Sequence, residues 1–226
     1  MGYNIDLHVH TTINSPCSEI DFFDLLHYQE RNKDIQAITI TDHSSKRPYP
    51  EFNCSKPVII GREFTLQFTE RSYDLVFFSM QGTESSVLKK KGKDTTVIWV
   101  HPMRHLPLVF NANYKQAEND LDKYLKLFPE VLELVKFVDA IEVFNAQDHD
   151  YWNFLSLLLA IRFEKHMTSG SDAHFIEQLN KAYTIFQFPI KTKMELIESI
   201  KKGYIKPSRF STIATKEESL QHIIKN

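Results

Sequence analysis

Histidines and carboxylates recur at the downstream ends of short apolar, β-branched runs, and nothing else in the sequence constrains the chain as much. The runs are Ile5–His8, Ala37–Thr41, Val58–Glu63, Leu75–Ser79, Thr95–Val100, Ala140–Phe144, Met167–Ser169 and Tyr183–Phe188, each read as a strand. Helical patterns fill several gaps. They cover Ile20–Arg31, with Ser18 as the expected N-cap, Gln116–Lys136, which Pro129 should break, Asp150–Lys165 and Lys193–Lys201. A short last helix is expected over Lys216–Ile224. Strands alternating with helices imply an α/β fold on a parallel sheet, either a barrel or an open doubly wound sheet. The first strand is followed by Asp6-Leu7-His8-Val9-His10 and not by a glycine-rich phosphate loop, which argues against a dinucleotide-binding unit and favours a barrel.

The chain has 226 residues, 42% hydrophobic and 25% charged, with no Gly/Ser/Pro-rich linker and no internal repeat. One domain over 1–226 is the expectation, with the motif-bearing part between 6 and 174 and a peripheral segment over 203–226. Lys and Arg number 27 against 29 Asp and Glu, a net charge of −2, so no global field draws the protein to a polyanion. This argues against an extended nucleic-acid substrate. The one dense basic run, Lys89-Lys90-Lys91-Gly92-Lys93, reads as a solvated loop. Cys17 and Cys54 are the only cysteines, the opening Met1-Gly2-Tyr3-Asn4 is polar, and the longest apolar run, Phe154–Ile161, falls far short of the roughly 20 residues needed to span a bilayer. A cytoplasmic protein without a membrane anchor is expected.

His8 and His10 end the first run, Asp42 and His43 the second, Glu63 the third and His101 the fourth, while Asp172 and His174 follow Gly170-Ser171. In a parallel barrel these ends open on one face, where barrel enzymes keep their active sites. Imidazole nitrogen and carboxylate oxygen suit zinc, manganese and iron. The alternate residues His8 and His10 share one side of an extended segment, so both rings can grip one ion. Singly, each pair is weak evidence; several converging at strand ends point to a multinuclear metal site. Asp42, beside His43, reads as a catalytic carboxylate that orients an imidazole or relays a proton, or else as a turn residue.

The segments Asp6-Leu7-His8-Val9-His10-Thr11, Ile38-Thr39-Ile40-Thr41-Asp42-His43, Gly61-Arg62-Glu63-Phe64-Thr65, Val100-His101-Pro102, Ile141-Glu142-Val143-Phe144-Asn145 and Gly170-Ser171-Asp172-Ala173-His174 resemble, in order and spacing, the motifs of the polymerase and histidinol phosphatase (PHP) family. The resemblance runs from Asp6 to about Phe188. It implies a distorted seven-stranded, TIM-like (β/α)7 barrel, two or three divalent ions (Mn, Fe or Zn) and phosphoester hydrolysis. It implies His8, His10, Glu63 and Asp172 as ligands of one ion, with Glu63 bridging to another. His43 and His174 would hold a second ion, and His101 would join Glu63 at a third. Arg104, three residues after His101, would grip a substrate phosphate through its fork. Asn145 either touches the substrate or orders its strand end.

Two departures from the family pattern stand out. Asn14-Ser15-Pro16-Cys17 occupies the region of a further second-site ligand, and Tyr73-Asp74-Leu75-Val76-Phe77 lacks the usual third-site histidine. Cys17, His105 and His149 are the candidate substitutes, and His27, His166 and His222 carry no argument. The reading is a metal-dependent phosphoesterase that attacks a small phosphomonoester, a nucleotide or a short oligonucleotide with a metal-generated hydroxide. The alternative is a degenerate domain that binds a ligand or partner without turnover.

Overall fold

A computed structural model describes residues 2–43, 46–68, 71–80, 91–104 and 113–208. The order of elements is β1 (Tyr3–Ile5), α1 (Phe22–Arg31), β2 (Ile35–Ile40), β3 (Val58–Ile60), β4 (Arg62–Gln67), β5 (Ser72–Ser79), β6 (Thr95–Trp99), α2 (Ala117–Leu127), α3 (Val131–Phe137), β7 (Ala140–Asn145), α4 (Asp150–Arg162), β8 (His166–Gly170), β9 (Thr184–Phe186), α5 (Lys193–Lys201) and β10 (Ile205–Pro207). The expected break at Pro129 separates α2 from α3. The cap of α1 is Asp21 and not Ser18: its Oδ1 accepts from the backbone N–H groups of Phe23 and Asp24. Ser18 Oγ instead donates to the His10 carbonyl at 3.0 Å, holding the loop that follows the His-x-His pair. The expected helix over 216–224, together with Lys89, Lys90, His105 and His222, lies outside the described residues.

The described strands do not form the expected closed seven-stranded barrel. They form two five-stranded mixed sheets, ordered β10-β9-β1-β2-β3 and β4-β5-β6-β7-β8. Pairs β1–β2, β2–β3, β6–β7 and β7–β8 are parallel, as the alternation of strands and helices predicts. Pairs β4–β5, β5–β6, β1–β9 and β9–β10 are antiparallel. The physical reason is connection length: the short 68–71 link between β4 and β5 can join antiparallel neighbours, whereas a parallel pair needs a long crossover. Gly61 marks the change from one sheet to the other. A side chain there would sit 2.5 Å from the Phe78 ring, so the run read as one strand over Val58–Glu63 is two. Between β8 and β9, side chains replace a backbone ladder, with Thr184 Oγ1 accepting from Ser169 N and donating to its carbonyl, both at 2.9 Å.

Ile5, Ala37, Ile59, Val76, Phe78, Ile98, Ala140 and Phe186, drawn from both sheets, share one apolar cluster with Leu196, Ile197 and Ile200 of α5. On the second sheet, Tyr73, Trp99 and Ile141 pack with Leu121 and Tyr124 of α2, Leu134 of α3 and Phe154 of α4. Helix α1 sets Phe22, Leu25 and Leu26 against Ile38 and Ile40 of β2. The longest apolar run forms α4, buried nearly all round as a core helix is. Among the described residues no helix is long and apolar enough to cross a membrane. Within the basic run, Lys91 departs from the solvated reading: its side chain is only 20% exposed and its Nζ lies 2.8 Å from Asp139 Oδ1.

Candidate metal centre

The segment after β1 leaves regular strand geometry but stays extended, pinned by Thr41 N to Val9 O at 2.8 Å and His10 N to Ala173 O at 3.0 Å. Its alternation turns His8 and His10 inward, both fully buried. Glu63, the second residue of β4, is placed by its N–H donating toward the carbonyls of Thr41 and Asp42, each at 3.1 Å. His101 and Asp172 close β6 and follow β8 with φ of 30° and 52°, the left-handed region that non-glycine residues rarely enter. Gly170 lets the chains meet here: a Cβ would lie 2.5 Å from His8 Cβ and 2.6 Å from Glu142 Oε1.

Glu63 lies at the middle of the cluster. Its Oε1 is 3.6 Å from His8 Nε2 and 3.1 Å from His101 Nε2, and its Oε2 is 3.3 Å from His10 Nε2 and 3.0 Å from His43 Nδ1. Asp172 Oδ1 faces His8 Nε2 at 3.4 Å, His10 Nε2 at 3.3 Å and His174 Nδ1 at 3.7 Å. Four overlapping groups have ligand atoms within 4.8 Å of one another: His8 with His10 and Glu63, His8 with His101 and Asp172, His10 with His43 and His174, and Glu63 with Asp74 and His101. All seven residues expected from the sequence as ligands are therefore brought together.

The donor atoms are prepared for a cation. Glu142 Oε1 lies 3.2 Å from His8 Nδ1, and the Asp172 carbonyl 2.9 Å from His174 Nδ1; each acceptor calls for a proton on Nδ1, and His8 Nε2 faces Glu63 and Asp172. His8 Nε2 and His10 Nε2 are buried without a hydrogen-bond partner. Orphaned nitrogens in a dry site cost free energy that a divalent cation would recover, so the residues present fit a metal. Burial by itself would raise the carboxyls of Glu63 and Asp172, but neighbouring charge on His8, with the close approach of His101 and His43 to Glu63 and of His10, His101 and Arg104 to Asp172, holds both well below the usual carboxylate range. Burial would lower His8, and the surrounding Asp172, Glu142 and Glu63 raise it well above its ordinary value. His43 is raised by its Glu63 contact, His101 is raised by Glu63 against the pull of burial, and burial pushes His10 down.

Asp42 does not reach the cluster directly. It is fully buried, and its Oδ1 accepts from Ser15 Oγ at 2.9 Å while Ser15 Oγ is 3.1 Å from His10 Nδ1. Arg104, with 21% of its side chain exposed, is held from three sides: Nε to Asp148 Oδ1 at 2.6 Å, Nη1 to Asp172 Oδ2 at 2.7 Å and Nη2 to Asn145 Oδ1 at 3.1 Å. Asn145 is fully buried behind Asp172, donating from Nδ2 to Glu142 Oε2 at 2.9 Å.

Sequence reasoning missed Asp74, Glu142, Asp148 and Ser15 as parts of the site. Asp74 sits on β5 with Oδ2 4.0 Å from His101 Nδ1, in the stretch where the family histidine is absent. Glu142 and Asp148 left one signal, an acid in or beside an otherwise apolar strand. Cys17 is exposed and belongs to none of the four groups. His149 precedes α4 and rests 5.8 Å from the Trp152 ring, and His166 lies 3.2 Å from the Lys201 carbonyl.

Residues 150–205, from α4 to β10 and including Asp172 and His174, match the family model described as PHP-associated. No curated protein matches the sequence. Among solved structures, PsfC from Pseudomonas syringae superposes with a TM-score of 0.58 at 15% identity, over 99% of this chain and 98% of that one. A two-domain protein from Bacteroides vulgatus containing a predicted PHP-like metal-dependent phosphoesterase gives a TM-score of 0.55 at 13% identity over 92% of this chain. The lesion-specific endonuclease EndoQ from Pyrococcus furiosus gives 0.51 at 17% identity, also over 92% of this chain. The chain spans 64% of the Bacteroides protein's length and 58% of the endonuclease's. The family-model match over 150–205 and the likeness to a PHP-like solved structure support the resemblance carried by the motifs.

Proposed function

We propose that the chain is a metal-dependent phosphoesterase acting on a small phosphomonoester, a nucleotide or a short oligonucleotide. One observation carries the reading: two buried histidine nitrogens without partners converge on two carboxylates held anionic. His8, His10, Glu63 and Asp172 would hold one ion and His43 with His174 a second. Glu63, Asp74 and His101 would hold a third, with Asp74 taking the place of the missing histidine. Two or three ions of Mn, Fe or Zn fit this set of N and O donors. Bound there, such ions polarise phosphate oxygens and lower the pKa of a water.

The chain's own residues do the rest. Glu142 orients His8, and Asp42 acts on His10 from a distance. Arg104 fixes Asp172 and keeps two N–H bonds free of these contacts, available to a phosphate oxygen. Likeness to the lesion-specific endonuclease supports a second reading, in which the phosphoester belongs to a nucleic-acid strand. Buried, strongly perturbed titratable groups gathered in one place favour turnover over binding alone.

The test is elemental analysis of the purified protein, with p-nitrophenyl phosphate and dinucleotide hydrolysis before and after chelation and after Mn, Fe or Zn add-back. Two or more ions and chelator-sensitive turnover are expected. His8→Ala and Asp172→Ala should abolish turnover in folded protein; unchanged activity in both would overturn the proposal.

A further inference from the structure

We infer that Ser15 is a positioning residue that sets the tautomer of His10 and ties that ring to the His43 backbone, with Asp42 as its anchor. The inference rests on the metal-centre reading above and names a residue outside the ligand set.

Ser15 is fully buried, and its Oγ has three polar neighbours: His10 Nδ1 at 3.1 Å, Asp42 Oδ1 at 2.9 Å and His43 N at 3.0 Å. A hydroxyl carries one proton and two lone pairs. The His43 N–H can only donate, so it takes one lone pair. The Asp42 carboxylate can only accept, so it takes the proton. One lone pair remains for His10, whose Nδ1 must therefore carry hydrogen. Nε2 is then left as the bare donor facing Glu63 and Asp172.

Asp42 is itself immobilised. Its Oδ1 accepts from Thr11 N, and its Oδ2 accepts from Thr11 Oγ1 at 2.7 Å and Tyr49 OH at 2.9 Å. Two segments distant in sequence thus hang from one hydroxyl: the loop after the His-x-His pair and the turn that carries His43. Both histidines touch Glu63 Oε2, at 3.3 Å and 3.0 Å, so the hydroxyl sets their mutual spacing as well as one ring's proton. Ser15→Ala removes the acceptor for His10 Nδ1–H, frees that ring to carry its proton on Nε2, and blocks the lone pair a cation would use.

The experiment measures histidine ring 15N shifts of metal-free protein at mildly alkaline pH, and Mn2+ binding by titration calorimetry, for wild type, Ser15→Ala and Ser15→Thr. Expected are a pure Nδ1–H tautomer at His10 in wild type and Ser15→Thr, a mixture in Ser15→Ala, and Mn2+ affinity about 10- to 100-fold weaker in Ser15→Ala, the usual scale for a partner of a metal-bound histidine. A proton on His10 Nε2 in wild type would overturn the inference, as would a Ser15→Ala protein with wild-type tautomer and wild-type Mn2+ affinity. If Ser15→Ala does not fold, the wild-type and Ser15→Thr spectra decide. If wild type binds none of Mn2+, Fe2+ and Zn2+, the metal-centre reading fails, while the His10 tautomer still confirms or refutes the part given to Ser15.

Discussion

Arg104 Nη1 lies 2.7 Å from Asp172 Oδ2, on the side of the carboxylate opposite the oxygen that faces His8 and His10. With Asp148 2.6 Å from Nε, the guanidinium spends its fork on holding the site together, and its pKa rises as both carboxylates outweigh burial. An arginine used only to grip substrate would affect KM. Arg104→Gln is instead expected to lower metal affinity and to cost about 2 kcal/mol of stability, below the 3–5 kcal/mol of a fully buried pair because the side chain remains partly exposed. Calorimetric metal binding and denaturant unfolding check this; a pure KM effect would contradict it.

Gly170 stands where β8 passes His8 and Glu142. Gly170→Ala forces a methyl into contacts of 2.5 Å and 2.6 Å, so a loss of about 1–3 kcal/mol is expected together with weakened metal binding. Thermal melts and Mn2+ titration of the variant provide the check.

Divalent metal should stabilise the protein by mass action. At a free ion concentration 100-fold above Kd the gain is about 2.7 kcal/mol, a rise of roughly 5–10 °C in Tm for a chain of this size. Differential scanning with Mn2+ or chelator measures it, and identical melting curves would count against a built site.

The metal-free protein should have a stability maximum in mildly acidic solution. Glu63 and Asp172 titrate below their ordinary values, so their contribution is present above about pH 4.5 and is lost as pH falls through the folded values. His8, His43 and His101 titrate above theirs, so their contribution is present below about pH 6.5 and is lost as pH rises through the folded values; His10 alone runs the other way. Melting temperatures of chelated protein from acid to alkaline pH check both limbs. Saturating Mn2+ should flatten the alkaline one, since metal and proton compete for the same nitrogens.

The sequence by itself marked most of the strands, the helix break at Pro129 and the seven candidate ligands that the fold brings together, because apolar periodicity and donor chemistry are local properties. The alternation of His8 and His10 is legible in the sequence, and it gains weight only beside the acids and histidines at the other strand ends. What tertiary structure decided is how those pieces pair and what stands behind them. The antiparallel β4–β5–β6 arm and the two-sheet arrangement depend on which edges meet around Gly61 and Thr184, and no local pattern encodes that. Asp74, Glu142, Asp148 and Ser15 acquire meaning only when strands far apart in sequence bring His101, His8, Arg104 and Asp42 beside them. A side chain's donor atoms are written in the sequence; the partner that fixes its proton or its charge is a matter of packing.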